Sequence, residues 1–165
     1  MWEAKQIVLT RGSDYHVTIE GNNLEEYYGR MINSDSWENT TELAPPEGFV
    51  QVIDKKREWW MHLAHHVQGS RSGWMYRSTP VAKEMMLMKL NEARKIYPAD
   101  IIIRSHVHYH VGVFFKSHIG FTTPCWKLPD WYAYKKGAGD LVPEIGAIRL
   151  IFDGDSPPEQ RFPIL

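Results

Sequence analysis

Ile101-Ile102-Ile103-Arg104-Ser105-His106-Val107-His108-Tyr109-His110 is the stretch on which the reading of the fold turns. The three isoleucines are continuously apolar, as in a strand buried on both faces, and predict a central strand. The polar residues after them mark its end. In an extended chain alternate side chains point the same way, so His106, His108 and His110 are expected on one face. Two imidazoles at i and i+2, just past a buried strand, can chelate one metal ion or give one ligand to each of two neighbouring ions. Neutral imidazole suits Zn, Mn, Fe and Ni. The plainer alternative is a solvated edge strand that happens to be rich in histidine.

Upstream of this stretch lies the best helix signal in the chain. Thr79 is placed as N-cap with Pro80 at the first helical position, and Pro98 ends the run after Tyr97. Ala82, Met86, Leu90, Ala93 and Tyr97 form one apolar stripe at helical spacing, predicted to pack against the sheet containing Ile101 to Ile103. The methionines read as core packing. Further upstream, Phe49 to Ile53 and Trp59 to Ala64 predict a β-hairpin around Asp54-Lys55-Lys56, preceded by a loop at Pro45-Pro46-Glu47-Gly48. The second hairpin strand runs into His62-Leu63-Ala64-His65-His66. Alternation puts His62 and His66 on one face and His65 on the other. His62 reads as structural, whereas His65 and His66, at a strand's end before Gly69-Ser70, are better placed to bind a metal.

At the start of the chain, Gln6-Ile7-Val8-Leu9-Thr10 predicts a buried strand stopped by the turn Arg11-Gly12-Ser13-Asp14-Tyr15-His16. Gly12 permits a positive-φ turn that brings the carboxylate of Asp14 and the imidazole of His16 to a strand's end. An Asx-type turn without chemistry fits the same residues. Asn22 or Asn23 can cap a helix reaching about Asn33, with Glu25 and Glu26 in its first turn. Downstream, Val111 to Phe115, Ile119 to Thr122 and Ala147 to Phe152 predict strands. The strands after His108 are expected to form an antiparallel layer continuous with the central strand. This order predicts an α+β fold with a mixed sheet and flanking helices, in a single domain spanning residues 1–165.

Composition sets outer bounds. The chain has 165 residues, 43% hydrophobic and 24% charged, which is ordinary for one soluble domain. A formal net charge of −1 gives no electrostatic reason to expect nucleic-acid or acidic-membrane binding. Trp74, Tyr76, Trp131 and Tyr134 are chemically able to stack nucleobases, but core or loop packing is the plainer reading. The one cysteine, Cys125, allows no internal disulfide and points to a reducing, cytoplasmic setting. There is no run of ~20 apolar residues for a membrane span, and Met1-Trp2-Glu3-Ala4-Lys5 does not open a signal peptide.

Taken in order, three pieces resemble the later motifs of the calcineurin-like metallophosphoesterases, particularly their divergent phage-type members. That family carries Gly-Asn-His-Asp/Glu after a strand, then a His at the end of an apolar strand, then Gly-His-x-His. Gly12 to His16 would stand for the first, His65 or His66 for the second, and Ser105-His106-Val107-His108 for the third. Pro124-Cys125-Trp126-Lys127-Leu128-Pro129, Trp131-Tyr132-Ala133-Tyr134 and Glu144-Ile145-Gly146 resemble the segments downstream of the third motif in phage-type members. The resemblance implies half of an αββα sandwich, two divalent ions (Mn, Fe, Zn or Ni) and hydrolysis of a phosphomono- or phosphodiester. It implies metal ligation by His65, His106 and His108, whose nitrogens would then converge within about 5–6 Å. His62 and His118 would lie elsewhere. His16, with Asp14, would serve at the leaving group or the phosphate. His66, His110 and Ser13 are further candidates.

The chain departs from the family pattern at several points. Ser105 replaces a glycine, Ser13 stands where a ligating Asn is expected, and His16 comes two residues late. Asp14-Tyr15-His16 can itself be read as the Asp-x-His motif, but the Gly-Asp-x-x-Asp/Asn motif, whose first Asp bridges the metals, has no counterpart. The preferred reading keeps Gly12 to His16 as the Gly-Asn-His-Asp/Glu motif and leaves both earlier motifs missing. The only Gly-Asp pairs, Gly139-Asp140 and Gly154-Asp155, both come after His108. The expectation is therefore a C-terminal half of the fold, active only with a separate N-terminal half or through a homo-oligomer. Two alternatives stand beside it: a catalytically silent metal-binding or interaction remnant, and a single-metal enzyme using His106, His108 and one of His65 or His66.

Overall fold

The computed structural model describes residues 8–10, 12, 27–28, 31, 47–53, 57–67, 74–94, 99–128, 131, 143–154 and 158–161. Ser13, Asp14 and His16 lie outside them. Of the expected first strand, Val8, Leu9 and Thr10 are described and belong to no strand. Tyr27, Tyr28 and Met31 are helical, inside the helix expected to reach Asn33.

A five-stranded mixed sheet organises the described residues into an α+β fold. Its strands are β1 (Glu47–Ile53), β2 (Glu58–Ala64), β3 (Ile101–Arg104), β4 (Val111–Phe114) and β5 (Ile119–Thr122), in the order β1-β2-β3-β5-β4. β3 is central and runs parallel to both β2 and β5, while β1 and β4 close the sheet as antiparallel edges. The hairpin is as expected, except that β1 begins at Glu47, so Glu47 and Gly48 are strand rather than loop. Asp100 fixes the start of β3 beside β2. Its carboxylate accepts from Trp60 N and Arg57, and its N–H donates to Trp60 O.

Alternation along β3 divides the core into two faces. Ile101 and Ile103 look one way, with Trp59, Ile119 and Phe121, and this face is covered by Ile148, Leu150 and Phe152. Those three belong to, or flank, β6 (Arg149–Ile151), which pairs antiparallel with β7 (Glu159–Arg161) in a separate two-stranded sheet. The layer expected to continue the main sheet is thus split: β4 and β5 join it, and β6 packs across its face. Ile102 looks the other way, onto Val81 and Met85 of the helix Thr79–Ala93. Ile101, Ile102, Val81, Met85 and Phe121 are fully buried, each contributing about 1.5–3 kcal/mol of hydrophobic stabilisation. Gly120 allows the close approach of helix and β5, since a Cβ there would stand 2.5 Å from Met85 Sδ and Val81 Cγ1.

The helix exists where expected but starts and faces differently. Its cap is Ser78, whose carbonyl accepts from Ala82 N, and Pro80 lies in the first turn. The buried side is Val81, Glu84, Met85 and the partly buried Met88, an i, i+3, i+4, i+7 set. The stripe expected from the sequence is rotated from it by one residue, about 100°. Met86 and Leu90 are accordingly about half exposed (52% and 53%).

Candidate metal centre

Parallel β2, β3 and β5 end together, and the residues just beyond them carry the histidines. Ser105 N donates to His65 O and Thr123 N donates to Arg104 O, so the ladder continues one step past the strands. Ligand sites in sheets with parallel strands favour such carboxyl ends. Beyond that step the chain turns sharply. His106 and His108 have φ of 68° and 59°, in the left-handed region. That conformation costs about 1–2 kcal/mol for an L-residue, although histidine enters it more readily than most. The segment His106 to His110 is therefore a bent loop, and the strand-like alternation expected for its histidines does not hold.

The bend carries the His106 ring to the end of β2. His65 Nε2 and His106 Nδ1 are 2.9 Å apart, one donating and one accepting. The His66 ring stands 4.9 Å from that of His65 and 4.5 Å from that of His106. One nitrogen from each of His65, His66 and His106 lies within 4.8 Å of the others. Around one ion with bonds of about 2.0–2.1 Å, two donor nitrogens stand at most ~4.2 Å apart, so small rotations of these rings suffice to enclose it. His65 and His106 are half-buried and His66 is exposed, which leaves the centre open on one side.

His108 is outside this triad, and its carbonyl accepts from Glu144 N. His110 donates Nδ1–H to Thr122 O and its backbone N–H to Glu144 Oε2, each at 2.8 Å. The Tyr109 hydroxyl reaches Arg77 O, and the Arg77 guanidinium lies over the Tyr109 ring. His118 is buried, with its Nδ1 against the Ser117 hydroxyl and its Nε2 against Glu92, and is not part of the triad.

No family model matches this chain, and no curated protein matches it. Among solved structures it is similar to a conserved uncharacterized protein of Streptococcus pneumoniae TIGR4, described as a predicted phosphoesterase. The two share 14% identity and a TM-score of 0.44, over 94% of this chain and 86% of that one.

Behind the imidazoles lies a buried ionic network that sequence reasoning missed. Arg104, the last residue of β3, is 3% exposed and pairs through Nε with Glu84 Oε2 of the helix, itself 6% exposed. Arg104 also donates to His62 O, Ile103 O and His62 Nδ1. A guanidinium can only donate, so His62 Nδ1 accepts and its proton sits on Nε2. That Nε2 faces Glu47 Oε2 at 3.3 Å, off the line of a good hydrogen bond, while the ring stacks on Phe49 across the strand pair. The signal in the sequence was a charge closing an apolar strand, opposite a helix with an acid among its methionines.

Burial, and then the Arg104 charge, hold the His62 pKa below the ordinary histidine value. In the unfolded chain this imidazole takes up a proton near pH 6.5. Folded, it resists protonation, so acid favours the unfolded state. The His62 contribution is fully present above about pH 6.5 and is lost as pH falls from there through the depressed folded value. His62→Gln removes the titrating group. Urea unfolding at a series of pH values should show the wild type losing more stability below about pH 6.5 than the variant does. Parallel curves would rule this out.

Proposed function

We propose that this chain is a metal-dependent phosphoester hydrolase module whose ion is held by His65, His66 and His106. The observation that carries this reading is the convergence of three imidazole nitrogens within 4.8 Å at the ends of parallel strands. The order of the histidine motifs, with its resemblance to the calcineurin-like phosphoesterases, supplies the reaction class. A divalent ion bound there supplies Lewis-acid polarisation of a phosphoryl oxygen. The chain's own residues have defined tasks. His65 Nε2 and His106 Nδ1 would give up their mutual hydrogen bond to ligate, each ring carrying its N–H on the other nitrogen, and protonation of the imidazoles in acid would compete with the ion. Arg104 anchors the strand end from which Ser105 and His106 project.

Three neutral imidazoles hold one divalent ion but bring no negative charge to offset a second. Among the described residues no carboxylate joins the triad. A dinuclear centre then draws its bridging carboxylate from residues outside the described set, from a separate polypeptide carrying Asp-x-His and Gly-Asp-x-x-Asp, or from a second copy of this chain. His108, two residues on from His106 and outside the triad, is the ligand that the family resemblance assigns to such a second ion. No helix among the described residues is long and apolar enough to cross a membrane.

The test is metal titration with bis(4-nitrophenyl) phosphate as chromogenic substrate. The purified chain is expected to bind about one Mn, Zn, Fe or Ni ion and to turn over little faster than the free ion. Losing one side of a two-ion clamp forfeits several kcal/mol, and each ~1.4 kcal/mol is a factor of ten in rate. Robust turnover by the chain alone, lost in His106→Asn, would replace this reading with that of a self-sufficient three-histidine enzyme. Failure to bind any of these ions would leave the silent interaction domain.

A further inference from the structure

On the face of the main sheet opposite the helix, a depression of about 240 Å³ opens where β3 and β5 end. Ile103, Trp126, Leu150 of β6 and Ile148 just before it line the depression. Two backbone hydrogen bonds build the site. Cys125 N donates to Glu144 O and Gly146 N donates to Cys125 O, clamping segment 144–146 against the Trp126 loop. The pocket shares its rim with the imidazoles. Thr123 lines it and donates its hydroxyl to Ser105 Oγ, and Ser105 precedes His106 and donates its N–H to His65 O.

We propose that this depression is a subsite for one flat, uncharged aromatic ring presented beside the histidine triad. No charged side chain lines it, so it offers nothing to a phosphate or carboxylate. The Thr123 hydroxyl already donates to Ser105 Oγ, so apolar contact and stacking are the main forces the lining offers. A cavity of about 150 Å³ is enough for benzene, so this space takes a single ring or a fused pair. Trp126 is 67% exposed, a large apolar surface left in water beside a cavity, and an indole face is a good stacking platform. A nucleobase and an aryl leaving group share this chemistry. That the ring belongs to a phosphoester rests on the function proposed above, whereas the ring site itself does not.

The experiment uses the full chain in EDTA with 4-fluorobenzyl alcohol as probe, monitored by ¹⁹F line broadening. Binding in the millimolar range is expected. Trp126→Ala should weaken it about five- to thirtyfold, the factor lost with one stacking partner. Ala147→Trp, at an exposed lining position, should block the mouth and abolish binding. Both variants should keep the wild-type unfolding midpoint. No broadening with wild type, or equal broadening in all three proteins, would overturn the proposal. A second arm supplies metal and compares the binding of phenyl phosphate with that of methyl phosphate, and Trp126→Ala should weaken binding of the phenyl ester alone. A chain that binds the probe but none of the divalent ions would overturn the hydrolase reading and support the ring site.

Discussion

His106→Asn is expected to lower divalent-ion affinity well beyond the ~10–100-fold that losing even an outer-shell partner of a metal site costs. His108→Asn is expected to leave that affinity near wild type. The pairing is a controlled one, because both residues sit in the left-handed region, at φ 68° and 59°, and asparagine tolerates that backbone about as well as histidine. The cost to the loop is therefore similar in the two variants, and the imidazole is what differs. His106 contributes a nitrogen to the triad and His108 does not. Removing one of three neutral ligands leaves two, a chelate with little hold on an ion that water competes for. Calorimetric titration of each protein with Zn or Mn reads the result directly. Should His108→Asn lose the ion while His106→Asn keeps it, the centre lies on the other side of the loop and the assignment of His66 falls with it. His66→Ala is then the deciding variant: loss of affinity comparable with His106→Asn supports the triad, and no loss removes it.

Glu84→Ala is expected to destabilise the fold by about 3–5 kcal/mol, the cost of leaving a buried charge without its partner. Glu84 and Arg104 are both almost fully buried, so solvent screens neither of them. Arg104 would keep its hydrogen bonds to the carbonyls of His62 and Ile103, but those oxygens carry only partial charges. Against a typical domain stability of about 5–15 kcal/mol, that loss is a large share. Burial already pulls the Arg104 pKa below its ordinary value, and Glu84 is the group that chiefly opposes this shift. The double variant Glu84→Met, Arg104→Met removes both charges and refills the volume, so it should recover much of what Glu84→Ala loses. Urea unfolding of the wild type, the single variant and the double variant completes the comparison. A single-variant loss under about 1 kcal/mol, with no recovery in the double, would mean the pair contributes only what a surface ion pair does.

Strong local signals are legible in the residues alone. Ile101 to Ile103 reads as a central strand because no exposed strand carries three consecutive isoleucines without cost, and Ile101 and Ile102 are fully buried. The hairpin reads from its alternation, and the helix from Pro80 and its apolar content. Histidines at the ends of two strands read as a site because parallel strands that end together bring their next residues together. The helix face is not legible. Val81, Ala82, Met85, Met86, Leu87, Met88 and Leu90 wrap too much of the helix for period alone to choose a side. A stripe that leaves Glu84 facing outward then takes the wrong one. That side is buried because Val81 and Met85 pack on Ile102 and Glu84 pairs with Arg104, 20 residues on, contacts that no local window contains.

By itself, then, the sequence determined the hairpin, the long helix, the central strand and the neighbourhood in which the histidines gather. These depend on local propensity and on periods of two and 3.6 residues, which any short window displays. Tertiary structure alone decided which histidines meet. Alternation puts His106, His108 and His110 on one face only in an extended chain, and two left-handed residues abolish that premise. The bend is tolerated because Ser105 and Thr123 extend the parallel ladder and Glu144 N–H holds the His108 carbonyl. His66, which alternation set on the opposite face from His65, joins it because the chain leaves β2 at Ala64 and no longer alternates. Contacts of this kind link residues about 40 positions apart, and no local window of sequence contains both partners.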